Sequence, residues 1–233
     1  NNNALLAELR QKGITNKNIL NAIKKVPREL FVNEISIQWA YENIPLPIDC
    51  EQTISQPYVV AYMIDCLKLK RTDKVLEIGT GTGYQTAIIS YLCQKIYTIE
   101  IFDKLFNLAK INMGKLKIKN IIYKLGNGLN GWGEKILFDA IIVSAASKEI
   151  PPKLLQNLKN NGKLKLKTDD TILFEFSNQI INESKFSYLK KTNNLYKSKK
   201  FESIKEIKTK YENIFLKEGK NIKYLECKKL ILN

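Results

Sequence analysis

The sequence predicts an α/β fold, a doubly wound mixed sheet with helices on both faces and a helical cap ahead of it. Three observations predict it. Short apolar runs alternate with segments of helical period between residues 74 and 143, and strand, helix, strand in succession makes a parallel sheet covered on its faces. The first run ends in alternating glycines, Gly79, Gly81 and Gly83, just where a helical pattern starts. Two helix-like segments and a long irregular loop precede that run. A sheet of about seven strands is expected.

Residues 4–25 read as two short helices, with Thr15 or Asn16 as N-cap of the second. Residues 42–56 break both periodicities and contain Pro45 and Pro47, so they form a loop. It is long for a connection, and long loops in compact domains are often functional. Pro57 opens a helix to Leu69, with Val60, Met63, Ile64 and Leu67 on one face. Strands are expected over 75–78, 96–100, 121–125 and 138–143, and helices over 84–92, 103–116 and 152–159. Asn161 and Gly162 make a turn. Residues 163–166 and 172–176 alternate and read as late strands. Residues 190–200 are polar and lysine-rich, and 201–218 read as a charged helix. The chain thus divides into a cap and loop (1–70), a ligand-binding core (71–167) and a basic C-terminal segment (168–233).

Composition narrows the chemistry. There is no histidine, which excludes Ser-His-Asp hydrolysis and His-ligated metal sites, and no metal is expected. Cys50, Cys66, Cys93 and Cys227 form no CxxC pair. They read as free thiols in a reducing cytoplasm. No run approaches the roughly 18 apolar residues of a membrane span, and the opening Asn1 to Ala4 lacks a signal-peptide pattern. A cytoplasmic monomer without membrane contact is expected. The net charge is +15, of which residues 151–233 carry +10. Scattered lysines, with arginine only at 10, 28 and 71, favour compositional drift over a nucleic-acid surface.

The glycine run carries the ligand prediction. A doubly wound sheet binds ligands beyond the carboxyl ends of its strands. There glycines permit sharp turns and close approach, and a helix N-terminus supplies oriented N–H donors. Glu100 ends the second strand 21 residues after Gly79, and a carboxylate there can accept hydrogen bonds from ribose hydroxyls. A dinucleotide site would place a third glycine at Tyr84. Tyrosine there, with Glu77 ahead of the glycines to face an ammonium, favours S-adenosyl-L-methionine. Asn127 and Gly128 end the third strand, where an adenine-binding turn is expected.

Several blocks carry a more specific resemblance. They are residues 26–32, 40–42, 45–48, 52–61 (Gln52, Thr53, Ile54, Ser55, Gln56 and Pro57 at its centre), 75–85, 97–100, Gly131 with Trp132, and 138–146. Across residues 4–166 the chain resembles protein-L-isoaspartate O-methyltransferases. These have a Rossmann-like fold of the class I methyltransferase type. The resemblance implies repair of damaged proteins, by methylation of the α-carboxylate of L-isoaspartyl residues. It implies Ser55 at the substrate carboxylate, Glu100 at the ribose, and Asn127 and Gly128 at the adenine; a hydroxyl donor such as Ser55 or Thr53 can hold one carboxylate oxygen while the other attacks. Isoaspartyl-containing proteins are the implied partners. The chain departs from the family pattern at Asp49, Cys50 and Glu51, at Asn127, and throughout the stretch after Lys167. Two alternatives stay open: a class I methyltransferase acting on RNA or another nucleophile, and a non-catalytic cofactor-binding relative.

Overall fold

The computed structural model describes residues 1–133, 135–145, 151–168, 170–183, 186–199, 201–205 and 210–230. The chain forms two compact units, Asn1–Ala145 and Ala146–Asn233.

In the first unit, α1 (Asn2–Gln11) and α2 (Lys17–Lys25) form the cap. Asn16 starts α2, its side chain accepting from the amides of Asn18 and Ile19. Leu5, Leu6, Leu9, Ile19, Leu20 and Ile23 are buried, an apolar stripe at helical spacing. The long loop folds back as a hairpin of two-residue strands, β1 (Leu46–Pro47) and β2 (Thr53–Ile54). Pro57 opens α3 (Pro57–Leu67), where its missing N–H costs nothing.

Then come β3 (Lys74–Ile78), α4 (Tyr84–Ser90), β4 (Lys95–Glu100), α5 (Asp103–Lys115), β5 (Ile121–Leu125) and β6 (Ala140–Val143). The four strands are parallel, in the order β5-β4-β3-β6. Val75, Leu76, Ile96 and Ile99 are buried to within 1%; the central strands are covered on both faces and so show apolar runs rather than alternation. The chain steps from β3 to β4 to β5, then returns to the other side of β3. That reversal sets a switch point at the carboxyl ends of β3 and β6.

The second unit holds α6 (Pro152–Asn157), β7 (Lys163–Thr168), α7 (Thr171–Glu183), β8 (Phe186–Thr192), α8 (Glu202–Lys205), α9 (Lys210–Lys217) and β9 (Lys223–Lys229). Its three strands are antiparallel, in the order β7-β9-β8. Phe174 and Ile181 of α7 cluster with Leu225 and Cys227 of β9. Leu195, Phe201, Ile204, Ile222 and Tyr224 form a second cluster.

Two expectations are corrected by the fold. The described strands form no single sheet of about seven; they divide into the four-stranded sheet, the three-stranded sheet and the small hairpin. Residues 172–176 are helical. Their short alternation is outweighed by Phe174, Ser177, Asn178 and Ile181, buried at a spacing of three to four over thirteen residues. The polar stretch from 190 begins with the end of β8. The charged helix expected over 201–218 contains α8 and α9, and its residues 206–209 lie outside the described residues.

Candidate active site

Gly79, Gly81 and Gly83 all take positive φ, +92°, +56° and +99°, which glycine adopts without strain. A Cβ on Gly79 would stand 3.0 Å from the amide nitrogen of Ala145, and one on Gly83 2.7 Å from the tip of Met113. The loop is fixed from three sides. Thr82 donates to the carbonyl of Phe31 in the cap (2.7 Å), Asn112 of α5 donates to the carbonyl of Thr82 (3.0 Å), and Thr80 bonds Thr98 of β4 (2.6 Å).

Glu100 closes the cradle. One carboxylate oxygen accepts from the amide of Gly81 (2.7 Å), the other from the amides of Ile101 (2.8 Å) and Phe102 (3.0 Å). A carboxylate has about four acceptor positions, so Glu100 retains capacity for a ribose hydroxyl while it holds the loop. The positive-φ cradle and this acceptor fit an adenosyl ligand. The turn after β5 is also formed: the Asn127 side chain accepts from the amide of Leu129 (2.9 Å) and caps a short 3-10 turn. Gly128 packs so tightly that a Cβ would fall 2.2 Å from Ile78 Cγ2.

Glu77, expected to face the ammonium of the cofactor, is engaged by side chains of the fold. It is wholly buried, and its oxygens accept from Gln85 (3.0 Å), Thr86 (2.5 Å) and Thr98 (2.7 Å). Burial pushes its carboxyl up to about 7, against the pull of those three hydrogen bonds. Glu77 therefore knits β3, α4 and β4 together beneath the loop. Gln85 carries the link outward, donating also to Ser144 at the end of β6 (2.7 Å).

The hairpin lies against this cradle: Ile48 is the neighbour nearest to a Cβ built on Gly81, at 3.7 Å. Thr53, in β2, is exposed, and Ser55, just after β2 on the way into α3, is half-buried. Gln56, not Ser55, is the N-cap of α3, and no side chain of the cap residue bonds the helix. Asn43 instead accepts from the amide of Tyr58 (3.0 Å). The serine hydroxyl is thus not committed to helix capping. Asp49 forms an ion pair with Lys104 of α5 (3.1 Å), which offsets its charge beside the site.

A family model described as Protein-L-isoaspartate(D-aspartate) O-methyltransferase matches residues 1–196. The chain belongs to this family. The match runs past residue 166, where the recognisable motifs stop, through β7, α7 and β8. The protein-L-isoaspartate O-methyltransferase of Parvibaculum lavamentivorans is 47% identical over 158 residues, 68% of this chain and 71% of the relative. A solved protein-L-isoaspartate O-methyltransferase is 30% identical, with a TM-score of 0.65 over 71% of this chain and 55% of that one. A structure from Plasmodium falciparum, assigned to the same methyltransferase class and solved with S-adenosyl-L-homocysteine, is 28% identical, with a TM-score of 0.64 over 73% of this chain and 85% of that one.

Two features of this protein-L-isoaspartate O-methyltransferase family member escaped the sequence reading. Ile101, Phe102 and Leu129, in the turns after β4 and β5, are exposed at 59%, 38% and 42%. These apolar side chains stand in the turns that follow Glu100 and Asn127. Their signal was apolar residues where a turn should be polar. The second is Arg28, which is fully buried. Nη1 donates to the carbonyls of Ala40 (2.8 Å) and Glu42 (3.2 Å), and Nη2 to those of Ile44 (3.0 Å) and Ser55 (3.1 Å). Burial lowers it from 12.5 to about 10, which leaves it charged at neutral pH. No local pattern marks such a residue, because its partners lie 12 to 27 positions away.

Proposed function

We propose that this chain repairs proteins by transferring the methyl group of S-adenosyl-L-methionine to the α-carboxylate of L-isoaspartyl residues. One observation carries the reading: the hairpin leading to Ser55 lies against the same glycine loop whose Gly81 amide is bonded by Glu100. The cofactor supplies an electrophilic methyl on a sulfonium. A carboxylate with an ordinary pKa of about 4 is already ionised and needs no general base, which suits a chain without histidine. The protein's part is to bind, desolvate and align. Ser55 and Thr53 offer hydroxyl donors to one carboxylate oxygen while the other is left to accept the methyl. Glu100 and the turn at Asn127 and Gly128 hold the nucleoside, and Glu77 fixes Gln85 beneath it.

The partners on this reading are isoaspartyl-containing proteins and peptides, met by a cytoplasmic monomer. Among the described residues no helix is long and apolar enough to cross a membrane. The test is transfer of a radiolabelled methyl group to an isoaspartyl peptide beside its aspartyl isomer. Labelling of the isoaspartyl peptide alone is expected. A protein that binds S-adenosyl-L-homocysteine but labels neither peptide would overturn the reading in favour of RNA-directed or non-catalytic relatives.

A further inference from the structure

The Arg28 guanidinium is fully buried beneath the segment that leads into Ser55. Its four hydrogen bonds reach four carbonyls spread over residues 40–55, and none goes to a carboxylate. Nε, on the same group, has no hydrogen-bond partner among the described residues. On its other side the guanidinium faces the ring of Tyr84, 5.6 Å from the centroid. Tyr84 is buried and is the first residue of α4, directly after the glycine loop. One cation therefore touches both the substrate segment and the base of the cofactor loop. Packing alone does not call for it, because an apolar side chain fills a buried space without desolvating a charge.

We propose that Arg28 is a positioning residue for the substrate carboxylate: it sets the Ser55 segment in register with the cofactor loop through Tyr84 and lends that segment a positive field. The field falls where an anion must dock beside Asp49 and Glu51. Arginine is required because two Nη atoms in a planar fork reach four separate carbonyls while one face stacks on an aromatic ring; a lysine ammonium is a single point with three donors. The Tyr84 that departs from a dinucleotide fingerprint is on this view the platform for the guanidinium. Glu100 and the glycines bind the cofactor without it, so substrate and cofactor affinities should respond separately. The inference rests on the isoaspartyl reading above.

The test is Arg28→Lys in the full chain, with KM and kcat for an isoaspartyl peptide and Kd for S-adenosyl-L-homocysteine by calorimetry. The expected result is a KM raised tenfold or more and a lowered kcat, with Kd within threefold of wild type. Unchanged KM and kcat in the folded variant overturn the proposal. So does a Kd that weakens in step with activity, because that marks a general loosening. Should the variant fail to fold, wild-type protein labelled with 15N-arginine decides. Arginine occurs only at positions 10, 28 and 71, and one guanidinium should keep slowly exchanging Nη protons at neutral pH. Three rapidly exchanging guanidinium groups overturn the pinned segment. A wild-type chain inactive on the peptide overturns the isoaspartyl reading itself, and the carboxylate role of Arg28 with it.

Discussion

Single side chains in this site divide their work between holding the scaffold and meeting ligands, and three substitutions separate the two. Ser55 has no capping duty, so Ser55→Ala should leave the thermal midpoint and S-adenosyl-L-homocysteine affinity near wild type. Single-turnover methyl transfer should fall roughly 10- to 1,000-fold, as for loss of one positioned donor. Glu100 serves both ends. Glu100→Ala should weaken S-adenosyl-L-homocysteine by about 1.5–3 kcal/mol in calorimetry, the scale of a hydrogen bond to a charged group. Glu77 ties three elements of the scaffold together. Its folded carboxyl sits at about 7 against an ordinary 4.5, so between those values the native state holds a proton that the unfolded chain has released. Stability must then fall as pH rises through that window. The shift amounts to about 3 kcal/mol. Urea unfolding at pH 5 and pH 8 should show a flatter dependence in Glu77→Gln, and equal slopes in the two proteins would remove the carboxyl as the cause.

At the scale of elements, the β3 to β6 succession was legible because each piece announces itself in the chain. Apolar runs mark strands buried on both faces, glycines mark the turn, and Pro57 marks a helix start. The unread parts lacked a local signature. β9 mixes charged with apolar residues, because Glu226 pairs with Lys163 and Lys165 of β7 on one side of the sheet while Leu225 and Cys227 cluster with α7. A charged residue there is satisfied by a partner some sixty positions away, which no window on the sequence contains. The neighbours of Glu77 were hidden for the same reason: a strand residue beside a glycine loop gives no sign of the threonines that surround it. Packing between turn and strand gives the prediction for this scale. Gly128 has no room for a methyl group against Ile78, a β-branched side chain fixed in a central strand. Gly128→Ala should cost about 1–3 kcal/mol in chemical denaturation, in the range for overpacking. An unchanged midpoint would mean that the turn after β5 sits further from the sheet.

For the molecule as a whole, charge and activity belong to different stretches of chain. The excess of basic residues is concentrated after residue 150, whereas the glycine loop, Glu100 and Ser55 all lie in the first unit. Methylation of a small isoaspartyl peptide should therefore change little between about 50 and 200 mM salt. A reaction that depended on phosphate contacts would lose orders of magnitude over the same range. Initial rates across a salt series decide this, and a steep loss would move the substrate toward nucleic acid. Composition revealed the charge but not its consequence, since scattered lysines look alike whether they are paired within a sheet or free in water.

The strand order of the second unit also has a temporal side. β9 follows β7 and β8 in the chain yet lies between them, bonded to both. During synthesis from the N-terminus, β7 and β8 leave the ribosome with no neighbour to pair with, and each presents unpaired backbone on both edges. At roughly 5–20 residues per second, the stretch from the end of β8 to the end of β9 keeps them waiting for seconds. Until Lys223–Lys229 have cleared the exit tunnel, the nascent chain carries two orphan strands, a ready substrate for holdase chaperones.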